Sequence, residues 1–181
     1  RALDEKIYRL MTQPAATIDT GYRLPQVHVS DLTGFMETLA SSEYEDKVDL
    51  PVLAEDLHMD IDDLFPITEA LDILHFARVS EGDIELTDIG RKLAAADILD
   101  QKKIFAAQVM TYVPLVRHIR RTLDKADDHE VSEEVFLKEL CQNLSEQASE
   151  EVLTTVIDWA RYAEIFAYDY NSGYLSLENP S

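Results

Sequence analysis

The stretch HFARVSEGDIELTDIG, His75 to Gly90, decides how the first half of this chain is read. Phe76-Ala77-Arg78-Val79 and Ile84-Glu85-Leu86 are short runs suited to strands, and Ser80-Glu81-Gly82-Asp83 lies between them. Glycine in so short a connection is a hairpin signal. Thr87 then stands where an N-cap belongs, ahead of the helical run DIGRKLAAAD. Working back along the chain, Asp60 is placed to cap a helix with an inward stripe of Ile61, Leu64, Phe65, Thr68, Leu71 and Leu74. A shorter helix follows Pro51, with Val52, Leu53 and Leu57 expected inward, and Ser30 heads one carrying Leu32, Phe35, Met36 and Leu39.

The second half repeats this order. Ser132 to Asn143 matches the helix after Pro51. Ser149 to Ala163 is a helix with Val152, Val156, Trp159, Ala160 and Ala163 inward. It runs into Ile165-Phe166-Ala167-Tyr168, a turn at Asn171-Ser172-Gly173, and Tyr174 to Leu177. Setting Phe76-Ala77 on Phe166-Ala167 gives an offset of 90, and Gly82 on Gly173 gives 91, so one extra residue is expected in the second turn. Three helices, a two-stranded hairpin and a closing helix make a winged helix. The expected fold is mainly α with small β-hairpins: tandem winged-helix units joined by a long helical segment. The spacing divides the chain into 1–23 (the end of a preceding domain and a linker), 24–99 (first unit), 100–125 (connecting basic segment) and 126–181 (second unit). Within the first piece, Ile7, Leu10 and Met11 suit the end of a helix, and Pro14, Gly21 and Pro25 mark residues 12–26 as a linker. Arg1 is then expected to be a cut into a longer chain. Pro114 should kink the connecting segment or start a new helix.

Composition narrows the function. Among 181 residues, 36 Asp and Glu outweigh 16 Lys and Arg for a net charge of −20, while 46% are hydrophobic and 29% charged. That is a globular chain, long enough to enclose a core. Ile104 to Val116, the longest uncharged run, has 13 residues, too few to span a bilayer. No signal segment opens the chain, and a lone Cys141 fits a reducing, cytosolic setting. Five glycines, at 21, 34, 82, 90 and 173, are too scattered for a phosphate loop. There is no G-x-S-x-G, no H-E-x-x-H and no Cys pair with zinc spacing, so no catalytic activity is expected of this segment.

The third helix of each unit would be the groove reader if the units bound DNA. Asp60 to Leu74 has no Lys or Arg and five acids, while Ser149 to Ala163 has Arg161 alone against Glu150, Glu151 and Asp158. Phosphates would be repelled, so DNA is disfavoured. Basic charge concentrates instead in residues 91–125, with eight bases against three acids. On a helix, Arg117, Arg120 and Arg121 share a face by their i, i+3, i+4 spacing, with His118 beside them. These four are the candidate contact for an acidic partner or a small anion, which arginine grips bidentately. The plainer reading, which we favour, is that this helix packs between acidic lobes and pairs with them. Asp60-x-Asp62-Asp63 resembles the start of a calcium loop but has Phe65 and Leu71 where glycine and glutamate are needed. An acidic first helical turn explains it better. The histidines at 28, 58, 75, 118 and 129 show no metal-ligand spacing, so no metal is expected within one chain. Trp159, Tyr162, Phe166 and Tyr168 read as core and wing-base aromatics, and Tyr170 and Tyr174 as docking surface.

Four stretches carry a family likeness: LPQVHVSDLTGFMETL, HFARVSEGDIELTDIGRKLAAADI, KKIFAAQVMTYVPLVRHIRRTL and TTVIDWARYAEIFAYDYNSGYLSLE. Together, from about Leu24 to Leu177, they resemble the C-terminal AAA-associated domain of ABC transporter ATP-binding subunits of the nitrate/sulfonate/taurine import class. The most specific are Pro114 to Arg121 and Ile157 to Asp169. The resemblance implies a cytoplasmic accessory domain, peripheral on the inner membrane face, with regulatory or assembly duties and no membrane insertion. Its implied partners are the ABC ATPase domain, the permease subunit and, in one version, a second copy. ATP and Mg²⁺ would belong to the parent ATPase domain, with no cofactor in this segment. Walker A and signature motifs are absent here, so no ATPase residue transfers. A small-anion sensor and a stand-alone DNA-binding regulator are the alternatives.

Overall fold

The computed structural model describes residues 18–41, 43–44 and 46–177. The helix end expected at 1–11 and the linker's first part, 12–17, lie outside the described residues, as does 178–181. The described chain is mainly helical. It begins with α1 (Val29–Leu39), β1 (Lys47–Asp49), α2 (Leu50–Asp56), α3 (Ile61–Ile73), β2 (Ala77–Ser80), β3 (Asp83–Leu86) and α4 (Asp88–Ala95). After α5 (Ile98–Tyr112) come α6 (Pro114–Lys125), β4 (Glu130–Ser132), α7 (Glu133–Leu140), α8 (Glu146–Tyr162), β5 (Ala167–Asp169) and β6 (Tyr174–Ser176). The order helix, strand, helix, helix, strand, strand thus occurs twice, the second time beginning at α6. Among the described residues no helix is long and apolar enough to cross a membrane.

Each set of strands forms a three-stranded antiparallel sheet, ordered β1-β3-β2 and β4-β6-β5. The sequence shows only the hairpins; β1 and β4 are three residues each, too short for an alternating pattern to register. In the first hairpin Ser80 faces Asp83 across a two-residue turn, Glu81-Gly82, with φ of 53° and 83°. Both left-handed conformations are what a type I′ turn demands, and glycine accepts its share without strain. In the second, Asp169 faces Tyr174, so the connection Tyr170–Gly173 is two residues longer, not one. No residue is inserted there: Ala77↔Leu86 and Ala167↔Ser176 are related by 90 in both strands, and the second ladder stops one pair earlier. α3 and α8 both stop at a left-handed residue, His75 (φ 62°) and Glu164 (φ 58°). Phe76 N–H donates to Leu71 O and Ile165 N–H to Ala160 O, each at 2.9 Å, so the two ends close in the same way. Phe76 therefore corresponds to Ile165, an offset of 89, although the side chains align best at 90.

Several helix starts differ from the sequence reading. α1 begins at Val29 with His28 at its N-cap, two residues before Ser30. Its cap comes from far along the chain: Asp158 accepts from Val29 N–H at 3.0 Å. Asp60 does occupy the N-cap of α3, but its side chain makes no cap bond. α8 starts behind Ser145, whose hydroxyl accepts from Ala148 N–H at 3.1 Å, and Ser149 is buried within the helix. Thr87 caps α4 as expected, accepting from Gly90 N–H at 3.1 Å while donating to His75 O at 2.6 Å. Gly90 lies so close to the hairpin that a Cβ added to it would sit 2.0 Å from Phe76 O.

The stripe of α3 holds for Leu64, Thr68, Leu71 and Leu74, all buried, but Phe65 is exposed, as is Val52 on α2. Phe65 directly follows Leu64 and so stands about 100° around the helix from it. In α2 the inward positions are already filled by Leu50, Leu53 and Ala54. The two halves share one core. Phe105 of α5 is its joint, stacked on Phe76 at 6.1 Å and meeting Trp159 and Tyr162 edge-on at 6.3 and 5.3 Å. Residues 18–26, the described part of the expected linker, are irregular but packed, with Ile18 and Leu24 buried. Further along, Trp159 Nε1–H donates to Val27 O at 2.8 Å, strapping this segment onto α8.

Candidate functional site

The four candidate residues sit on α6, which Pro114 starts and Val113 joins to α5. Proline fits the first helical turn but cannot continue α5, so the chain breaks there. Leu115, Val116, Ile119 and Leu123 form the buried stripe of α6 and hold it against the core. The break leaves the last carbonyls of α5 without helical donors. Arg117 fills that role: its Nη1 donates to Met110 O at 2.8 Å and Thr111 O at 2.6 Å. A guanidinium at the negative end of a helix is favoured by both hydrogen bonding and dipole.

Arg120 reaches another loose carbonyl, donating from Nη1 to Ile165 O at 2.7 Å just past the end of α8. Its Nε also lies 3.4 Å from Asp124, one turn along. His118 is 2.7 Å from Glu139 of α7 and meets Phe136 edge-on at 5.9 Å. Arg121 is exposed and, among the described residues, makes no hydrogen bond or ion pair. The shared helical face therefore does not become a shared anion clamp. Arg117 closes the α5–α6 break, His118 ties α6 to α7, and Arg120 ties α6 to the chain after α8. The remaining bases divide similarly. Arg91 pairs with Asp46 at 3.0 Å, and Lys102 with Glu164 at 3.7 Å while lying over the Tyr162 ring. Lys92, Lys103 and Lys125 are exposed.

A cleft touches this helix. About 260 Å³ in volume, it is lined by Thr20, Gly21, Leu115, His118, Glu139, Leu140, Gln142 and Asn143. Of the four candidates only His118 reaches it, and the Glu139 carboxylate on the same wall opposes an anion. A second polar cluster was invisible in the sequence. Tyr22 O–H donates to Glu69 at 2.6 Å, and burial and that carboxylate push the phenol well above its ordinary range. Burial, with Glu69 nearby, also raises the Asp72 carboxyl above 3.8. At the second sheet Tyr168 donates to Glu133 at 2.5 Å, and this bond is the main reason its phenol is pushed up to about 12. No sequence signal marks these pairs, whose members stand 47 and 35 residues apart.

The third helices of the two halves are α3 and α8. The outer face of α3 carries Asp62, Asp63 and Glu69, and α8 is buried along most of its length. The strap covers α8 further, through Arg23 to Glu151 at 3.7 Å and His28 to Asp158 at 3.7 Å. Asp60, Asp62 and Asp63 stand at the start of α3, and no group of three metal-ligating side chains gathers among the described residues. Trp159 and Phe166 are buried and Tyr162 and Tyr168 half-buried; Tyr170 and Tyr174 are exposed, with Arg161 over the Tyr170 ring at 5.0 Å.

The model of the C-terminal AAA-associated domain matches residues 51–169, well over half of the chain. The chain belongs to this family. The matched segment runs from α2 to the end of β5; it takes in α5 and the whole of α6 and leaves out α1, β1 and β6. No curated protein and no solved structure matches the chain. The AAA-associated domain is an accessory part of an AAA or ABC protein, and here it is built around α5 and α6, with α6 arginines bracing the joint.

Proposed function

We propose that this AAA-associated domain is the non-catalytic regulatory or assembly module of the ATP-binding subunit of an ABC importer for nitrate-, sulfonate- or taurine-type anions. In this reading it consists of tandem winged helices that work through protein contacts with the ATPase domain and the permease on the cytoplasmic membrane face. The family membership carries the proposal. The geometry supports it in two ways. Arg117, His118 and Arg120 are occupied in bracing contacts, which disfavours a small-anion sensor. An acidic outer face on α3 and a buried α8 disfavour a DNA reader.

The test is an antiserum raised against this segment, used on soluble and membrane fractions of the source cells. The expected result is a membrane-associated band larger than 20.6 kDa that co-precipitates a permease. A band confined to the soluble fraction at 20.6 kDa would overturn the transporter assignment.

A further inference from the structure

α2 and α3 pack on each other and are joined by a short turn at residues 57–60. Val52, Met59 and Phe65 are 49%, 37% and 48% exposed there, each within about two turns of that connection. Leu53, Ala54, Leu64 and Thr68 of the same helices fill the core. Three large apolar side chains left exposed within fourteen residues, 52–65, offer a surface to a partner.

The surrounding charge says what. From Asp49 to Asp72 the chain holds eight acids and neither lysine nor arginine. Glu55, Asp60, Asp62 and Asp63 are exposed and pair with no cation among the described residues. An apolar patch rimmed by unneutralised carboxylates suits a basic amphipathic helix, whose apolar side covers the patch while its lysines or arginines meet the rim. A second copy could offer Ile98 and Leu99, 70% and 71% exposed beside Lys103. Two bodies of net charge −20 repel each other, however, while the same charge draws a basic partner in.

We infer that the outer face of α2 and α3 is a docking ledge for a basic amphipathic helix of a partner protein. It rests on the reading of the domain as a protein-docking module, and its test needs no transporter. The probe is a synthetic 14-residue helix of leucine and lysine at amphipathic spacing, titrated by calorimetry into the 181-residue protein at about 0.15 M salt. A leucine–glutamate peptide of the same spacing is the control. Binding should be confined to the lysine peptide. V52S/F65S should weaken it by about tenfold or more, and D62N/D63N by several-fold. E134Q/E150Q, which removes the same charge from exposed positions elsewhere, should change it by less than about twofold. Circular dichroism confirms that each variant is folded.

Equal weakening by all three variants would mean attraction to net charge only and would overturn the ledge. So would unchanged binding by V52S/F65S, or a dimer of the free protein that V52S/F65S dissociates. None of these outcomes bears on the membrane-fraction experiment, so the two readings fail separately.

Discussion

Gly90→Ala tests the closest contact in the fold. An alanine Cβ at this position would lie 2.0 Å from Phe76 O, 3.0 Å from Phe76 C and 3.3 Å from Leu86 Cδ2. Real Cβ atoms essentially never approach other atoms closer than 3.0 Å, so α4 or the hairpin must retreat by about 1 Å. The atom in the way is backbone and cannot rotate aside. Phe76 O also accepts from Thr87 N–H at 3.0 Å, and the Thr87 hydroxyl bridges His75 O and Gly90 N–H. Overpacking costs about 1–3 kcal/mol, and one or two disturbed hydrogen bonds add about 1 kcal/mol each. Alanine's better helix propensity returns up to about 1 kcal/mol. The net expectation is a loss of about 2–4 kcal/mol, or a urea midpoint lower by roughly 1–2 M.

Gly34→Ala in α1 is the matched control. Nothing lies within 4 Å of an added Cβ, and the same exchange should stabilise by about 0.5–1 kcal/mol. Trp159, the single tryptophan and fully buried, reports both transitions by fluorescence. A Gly90→Ala midpoint at or above that of the parent, with Gly34→Ala stabilising as expected, would refute the contact between α4 and the hairpin.

Four further substitutions probe the strap, the brace with its control, and a half-buried carboxyl. Trp159→Phe removes the donor to Val27 O and should cost about 1–3 kcal/mol, read by thermal melting in the far ultraviolet; an unchanged melt would mean the strap is not anchored there. Arg117→Met strips two donors from the end of α5 and should cost about 1.5–3 kcal/mol, whereas Arg121→Met should stay within about 0.5 kcal/mol, and equal effects would contradict the bracing role. Because the folded state raises the Asp72 carboxyl, it holds that proton more tightly than the unfolded chain does. Stability from this group therefore falls as pH climbs from 3.8 through the raised value. Asp72 also lies at the negative end of α3, so Asp72→Asn should gain about 0.3–1 kcal/mol at pH 7 from the dipole alone. Denaturation at pH 7 and pH 4 should show that gain shrinking on acidification, and a variant no more stable at pH 7 would sink the assignment.

What the sequence determines by itself is local. The Glu81-Gly82 turn, the Thr87 cap, the Pro114 break and the stripe Leu64, Thr68, Leu71 each involve residues within one or two turns of one another. Their signals are propensity and period, which neighbours alone fix. The repeat also survives in the sequence, although its register slips by a residue because side-chain similarity and helix-end geometry give different offsets. Short edges fare worse: β1 and β4 are strands only because β3 and β6 pair with them.

The roles of the α6 arginines were decided by the tertiary structure. Sequence spacing places Arg117, Arg120 and Arg121 on one face, but it does not show that carbonyls of α5 and of Ile165 lie within reach of two of them. Nor could it show that Asp158 holds the start of α1 and Trp159 the segment before it, across 129 and 132 residues. Those partners were chosen by burial. A carbonyl or amide removed from water needs a partner wherever packing can bring one, and packing is a property of the whole chain.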